Sequence, residues 1–391
     1  VAIGSPGYQG RCREINDVDF TPSIQEESMR LAKNLTSPCS WTIVATLLTL
    51  SAAAAADAWY AAEIDVWSPP FNTEHQHVLQ QYVPPSHASR AWRICASIPH
   101  LKDDYWLAVN FGLVDEAKRL GVALNLYEAG GYENLAIQQS QIAECVAQNK
   151  ADALIIGAIS ADGLSSLVAD YSAKGIPVID LINGINSDKI TARVAADFYD
   201  MGLATGKYLV ALQSGTPTTA KVAWFPGPAG AGWVGAGDKG FQAALKGSSL
   251  TVLEGGFGDT GLAAQTRLIE ALLDSHSDID FIAGTAVSAE AAVQVLQKRK
   301  LEERIKVIAY YFGPGIYRGI KRGAILAAPS DSQAVLARIS IDQAVRALEK
   351  QKLIRHLGVA IKVVDLKSLP EFDLNSSVAP AGFRPIFSVA P

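Results

Sequence analysis

Tyr105 and Trp106 stand side by side where a strand-like run, Trp92-Arg93-Ile94-Cys95-Ala96-Ser97-Ile98, gives way through Pro99–Asp104 to a helical pattern. Open α/β sheets bind ligands just outside the carboxyl ends of their strands. Two large aromatics at such an edge are the first candidates for ligand contact. Little else in the chain suggests covalent chemistry. The stretch Gly227-Pro228-Ala229-Gly230-Ala231-Gly232 has no Gly-Lys-Ser/Thr at P-loop spacing. It also lacks the glycine fingerprint and downstream acid of a dinucleotide site. There is no Gly-x-Ser-x-Gly nucleophile elbow and no defensible Ser/His/Asp set. The expectation is binding rather than catalysis, with no cofactor and no metal.

The elements that position the aromatic pair alternate. Trp106–Leu120 reads as a helix with apolar residues at Leu107, Phe111, Val114 and Leu120, stopped by Gly121. Val122–Glu128 is a second strand and Leu135–Gln148 a second helix. The same alternation continues through strands 153–159 and 177–182, a short strand 193–195 and a helix 197–212. A second series follows: strands at 221–225, 250–254, 281–284 and 305–311, with helices at 239–245, 262–276 and 288–298. Residues 226–237 read as a Gly/Pro-rich loop. The end of the chain adds crossings over 317–328, a helix 333–350 and a strand 359–365. This predicts two doubly wound parallel-sheet domains with a cleft between them. The expected boundaries are 90–192 with 312–330 for the first, and 193–311 with 331–391 for the second.

A net charge of −5 gives no electrostatic support for a nucleic-acid partner. From Met29 the text reads as a secretory leader over 29–56: Arg30 and Lys33, an apolar stretch from Trp41 to Leu50, then Ala52–Ala56. Residues 1–28 read as an upstream extension that is not translated; an uncleaved membrane anchor is the alternative for the leader. Export predicts an oxidising compartment. There Cys95 on the first strand and Cys145 on the crossing helix are expected to form a disulfide, with two buried free thiols as the alternative. Residues 57–89 lack periodicity and read as an arm bracketed by Pro69-Pro70 and Pro84-Pro85. Its His75, His77 and His87 have no ligand partner placed by spacing.

The strand-helix opening, DFYDMGLATGKYL, FPGPAGAGWVGAGDKGFQAAL and HSDIDFIAGTAVSAEAAV resemble the type I periplasmic binding-protein superfamily. Within it, RAWRICASIPHLKDDYWLAVNFG, NLYEAGGYENLAIQQSQIAEC, IYRGIKRG and PAGFRPIF are similar to the TorT family over about residues 90–391. The resemblance implies a type I periplasmic binding-protein fold with a hinge. It also implies a periplasmic location, trimethylamine N-oxide (TMAO) as ligand and a TorS-like sensor histidine kinase as partner. Cys95 and Cys145 fall where TorT proteins also carry cysteine. Two departures stand out. Sugar-binding relatives usually carry Asn-Asp where this chain has Gly284-Thr285. TorT proteins typically start the helix after the interdomain crossing with Trp-Phe, where this chain has Phe198-Tyr199. A related methylated amine is therefore the second ligand expectation. The competing class is the binding protein of an ABC uptake transporter for a sugar or another small polar solute.

An N-oxide presents methyls on a positive nitrogen and one negative oxygen. Aromatic faces attract such a nitrogen by about 0.5–2 kcal/mol each, and the oxygen needs a donor. The resemblance implies Tyr105, Trp106, Phe198 and Tyr311 as walls, with Tyr132 as a further candidate. Asn183, a tyrosine hydroxyl or backbone amides would donate to the oxygen. Asp331 would contact ligand or cap the helix after it.

Overall fold

The computed structural model describes residues 63–391 apart from Thr73 and Pro217. The expected extension, the leader and residues 57–62 of the arm lie outside the described residues. No helix among the described residues is long and apolar enough to cross a membrane.

Strand β3 (Arg93–Ile98) is buried from Ile94 onward because parallel neighbours flank it on both sides, which is why its text is nearly all apolar. Asp103 caps α1 (Asp104–Leu120) by accepting the Trp106 N–H at 3.1 Å. Gly121 ends the helix at φ 69°, a left-handed conformation that costs glycine nothing. Alternation then continues through β4 (Ala123–Glu128), α2 (Leu135–Asn149), β5 (Ala153–Ile156), α3 (Ser165–Ala173), β6 (Val178–Leu181) and β7 (Ala192–Val194). The parallel order β4-β3-β5-β6-β7 reverses direction at β3, so the crevice beside β3 is the topological switch point. Cys95 on β3 and Cys145 on α2 are buried and joined by a disulfide, their Cα atoms 6.4 Å apart.

The second lobe begins with α4 (Phe198–Gln213), β8 (Ala220–Phe225), α5 (Gly232–Leu245), β9 (Leu250–Glu254) and α6 (Leu262–Ser275). It continues through β10 (Phe281–Gly284), α7 (Ala286–Arg299), β11 (Lys306–Ala309) and α8 (Pro314–Lys321). Its parallel sheet runs β11-β10-β8-β9. Both lobes are thus doubly wound α/β, as expected from the sequence.

The end of the chain departs from expectation. β12 (Ala327–Ser330) lies beside β11, with Leu326 N–H donating to Val307 at 2.8 Å, so 312–330 packs with the second lobe. The helix α9 (Gln333–Leu348) instead packs on α1 of the first lobe. The expected single strand 359–365 is two: β13 (His356–Val359) joins β7 in parallel, and β14 (Lys362–Asp365) pairs with β12. The terminal β15 (Ser388–Val389) adds to β4. Alternation identifies strands and helices but carries no information about which sheet each joins, so 312–330 and most of 331–391 fall in the other lobe, while β14 stays with the second. The chain crosses between lobes at 195–197, 331–332 and 360–361, and once more between β14 and β15.

The arm also differs. β1 (Glu63–Trp67) and β2 (His77–Gln81) form an antiparallel hairpin that extends the first sheet beyond β13. Only five residues long each, these strands sit below the length at which periodicity stands out. The fold supplies the histidines with carboxylates that sequence spacing did not. His75 pairs with Asp197, and His77 lies 2.8 Å from Asp65 and 3.5 Å from Asp200. No group of three or more metal-type ligands occurs among the described residues.

Beyond the hairpin, Tyr82 is buried between α1 and α9, donating to Asp342 at 3.0 Å. Asp342 and Glu116 are both fully buried there. Burial first, and then the Glu116 charge, pushes the Asp342 carboxyl well above its ordinary range. A carboxyl raised by folding contributes stability that is complete below its unfolded pKa and is lost as pH rises through the folded one. Asp342→Asn is therefore expected to flatten the alkaline side of the stability profile. In melts from about pH 5 to about pH 9, the variant should gain on the wild type by at least ~2 °C at the alkaline end, near the shift for about 1 kcal/mol. Parallel profiles would show that the pair does not control alkaline stability.

Candidate functional site

Every residue lining the aromatic cavity follows the carboxyl end of a strand. Asp103, Tyr105 and Trp106 follow β3, and Tyr132 follows β4. Ile182 and Asn183 follow β6, and Phe198 comes after β7. Trp233, Thr260 and Tyr311 follow β8, β9 and β11. The cavity is tight, with about 20 Å³ open to the centre of a water-sized sphere, room for about one water. Five aromatic side chains in it, Tyr105, Trp106, Phe198, Trp233 and Tyr311, are each less than a tenth exposed. They meet mostly edge to face: Tyr105 with Tyr311 at 5.2 Å and 68°, Tyr105 with Trp106 at 5.8 Å and 74°, Trp233 with Tyr311 at 6.1 Å and 81°. Rings packed edge to face do not cover one another's faces fully, and a free face is what attracts a cation or polarised methyls.

Contacts between the lobes close the cleft. His100 Nε2 lies 3.0 Å from the Thr260 hydroxyl, and Lys102 pairs with Asp259 at 3.0 Å. Burial lowers the His100 pKa to about 4, so its ring is neutral near pH 7. Trp233 of the second lobe donates its indole N–H to Tyr132 of the first at 3.2 Å.

Tyr132 is the polar centre of the box. Its hydroxyl accepts from Trp233 Nε1 and from Asn183 Nδ2, the latter at 3.0 Å. The Asn183 orientation is set by its second bond, Nδ2 to the Ala158 carbonyl at 2.8 Å, because a carbonyl only accepts. Both lone pairs of the phenol are therefore engaged, and its proton has no acceptor among the described residues. The hydroxyl is poised to donate to a ligand oxygen. Burial raises its pKa, so the proton stays in place.

The remaining candidates take different positions. Asn183 lines the cavity, but its amide hydrogens already serve Ala158 and Tyr132; it orients the donor and is not the donor. Asp331 is behind the wall and not on it. It accepts the Tyr105 hydroxyl at 2.5 Å and so holds that ring, while burial raises its pKa to about 6. It does not cap α9, whose first turn has no side-chain cap. Thr285 caps α7 by accepting from Ser288 N–H at 3.0 Å.

A periplasmic binding protein domain matches residues 94–352. The periplasmic protein TorT of Escherichia coli K12 is 37% identical over 312 residues, covering 80% of this chain and 89% of that protein. The chain belongs to the TorT family of periplasmic binding proteins. A TorT structure solved with the TorS sensor domain in the presence of TMAO superposes with a TM-score of 0.69 at 32% identity, covering 76% of this chain and 99% of that one. An ABC transporter solute-binding protein from Bradyrhizobium sp. BTAi1, solved with bound bis-tris, gives 0.74 at 47% identity, covering 84% and 98%.

Within that family frame, sequence reasoning missed Asp103, Ile182, Trp233 and Thr260. Trp233 is the consequential omission. The glycines of 227–232 suggested a loop up to Gly237, but α5 starts at Gly232 and carries the indole on its first turn. The usable signal was positional: Trp106 and Phe198 also stand on the first turn of a helix that follows a strand.

Proposed function

We propose that this chain binds TMAO or a related methylated amine in the aromatic box and reports its occupancy to the periplasmic domain of a TorS-like sensor histidine kinase. The observation that carries the reading is the box of five aromatic walls around the Tyr132 hydroxyl, whose proton has no acceptor among the described residues. Three methyls and a positive nitrogen suit the walls, and the oxygen suits the Tyr132 donor. The walls come from both lobes, so ligand favours the closed state by its extra contacts there, which is the only way binding can shift such an equilibrium. The TorS complex of a family member supports the choice of partner.

Calorimetry of the purified chain with TMAO, trimethylamine, glycine betaine and a sugar panel tests the ligand. A one-site signal for TMAO or another methylated amine is expected; a sugar signal alone would overturn the reading. Tyr132→Phe keeps the ring and removes the donor. Its TMAO affinity is expected to fall by roughly 5- to 150-fold, the cost of leaving the oxygen unpaired at about 1–3 kcal/mol. An unchanged affinity would take Tyr132 out of the site.

The second reading is an uptake binding protein, favoured by the bis-tris-bound ABC transporter relative. Co-purification with a TorS-type sensor domain, with and without ligand, separates the two. A protein that never engages such a domain belongs to uptake.

A further inference from the structure

The cavity wall contains one carboxyl group and no basic side chain. Asp103 is that carboxyl. Its Oδ1 accepts the Trp106 N–H at 3.1 Å, which anchors the group at the start of α1. The side chain is half-buried, and its other oxygen has no hydrogen-bond partner among the described residues. The surroundings offer it no counter-charge. Asp104, Asp259 and Glu290 are acids that act on it unfavourably. Lys102, the near cation, is paired with Asp259. The His100 ring is neutral, and burial keeps the Tyr132 and Tyr311 phenols protonated.

We propose that the box takes methylated amines of net positive charge as well as the net-neutral N-oxide, and that Asp103 is the residue that discriminates between them. This rests on the reading of the box as a methylated-amine site. A tetraalkylated cation has the shape of TMAO with a methyl in place of the oxygen. It uses the aromatic faces equally but cannot accept from Tyr132. What it adds is a full charge, and the ionised Asp103 carboxylate is the group that balances it in a site sheltered from water. For the N-oxide the useful form of Asp103 is the other one. A protonated carboxyl is a second donor to the ligand oxygen beside Tyr132. The two ligands therefore draw on opposite protonation states of one side chain.

The pH dependence follows. Burial, opposed by the Trp106 N–H, raises the Asp103 pKa to about 7. As pH rises through that value the carboxylate fraction grows, so cation affinity rises and N-oxide affinity falls. Tetramethylammonium is the probe, because its charge does not titrate.

The test is calorimetry with tetramethylammonium and TMAO from about pH 6 to about pH 8.5 on the wild type and Asp103→Asn. Asparagine is an equally good helix N-cap, so the fold is expected to hold, as a melt would verify. In the wild type, tetramethylammonium affinity should climb about tenfold across this range while TMAO affinity declines. In the variant both slopes should vanish. The ratio of tetramethylammonium to TMAO affinity at the alkaline end should fall about thirtyfold. A cation affinity that ignores pH, or a ratio unchanged by the substitution, overturns the proposal. So does a wild type that binds TMAO but not the cation, which leaves the methylated-amine reading standing. If neither ligand binds, that reading falls and takes this one with it.

Discussion

Trp106→Ala is expected to reduce affinity for the methylated amine by roughly thirtyfold or more, the equivalent of at least about 2 kcal/mol for a desolvated aromatic face. The indole is only 3% exposed and forms the wall at the switch point of the first sheet. Its ring lies so close over Gly157 that a Cβ there would come within 2.6 Å of it. The indole also lines the cavity, so truncation admits water to a site whose polar contacts depend on dryness. Removing a buried tryptophan costs stability as well, about 3–5 kcal/mol. Trp106→Phe separates the two effects, since it restores most apolar bulk but a weaker ring. Calorimetry and urea denaturation on both variants read binding and stability apart. A folded Trp106→Ala protein with wild-type affinity would remove the residue from the box.

Gly240→Val should destabilise the chain by more than about 3 kcal/mol and weaken ligand binding in whatever remains folded. Helices α4 and α5 touch backbone to backbone. A Cβ at Gly240 would lie 1.9 Å from the Tyr199 carbonyl oxygen, and one at Gly202 would lie 1.9 Å from the Gly237 carbonyl oxygen. Neither obstacle is a side-chain end that can swing aside, so the helices must separate. Phe198 and Trp233 ride on the first turns of these two helices. Spreading the helices therefore moves two walls of the box and stretches the Trp233–Tyr132 hydrogen bond. A urea titration gives the stability loss. An unchanged midpoint, with unchanged ligand affinity, would show that the helix pair tolerates a gap and that the walls are placed by other contacts.

The family frame gives these substitutions a common meaning. In a two-lobed binder the ligand stabilises the closed state through residues of both lobes. Here His100 with Thr260, Lys102 with Asp259 and Tyr132 with Trp233 already join the lobes. Box variants therefore alter both affinity and the balance between open and closed forms, and it is that balance a sensor domain would read.

The sequence by itself determined the local elements and the class of fold. Buried parallel strands read as short apolar runs, and the helix that Gly121 stops reads as periodic text, because both patterns report how much of each element is hidden. It also determined that aromatic residues cluster at strand ends, since Tyr105, Trp106, Phe198 and Tyr311 are each within a few positions of a strand. Tertiary structure alone decided the rest. It sent α9 and β13 to the first lobe and β12 to the second, since hydrogen-bond partners far apart in the chain leave no periodic mark. It turned an arm without visible pattern into the β1–β2 edge of a sheet. It brought Trp233 out of a glycine-rich stretch into the wall. It also changed the roles of three polar residues: Asn183 became the support of a donor, Asp331 the anchor of Tyr105, and Tyr132 the donor itself. Residue type sets what a side chain can give or accept. Which of its lone pairs and protons are already engaged depends on neighbours that only folding supplies.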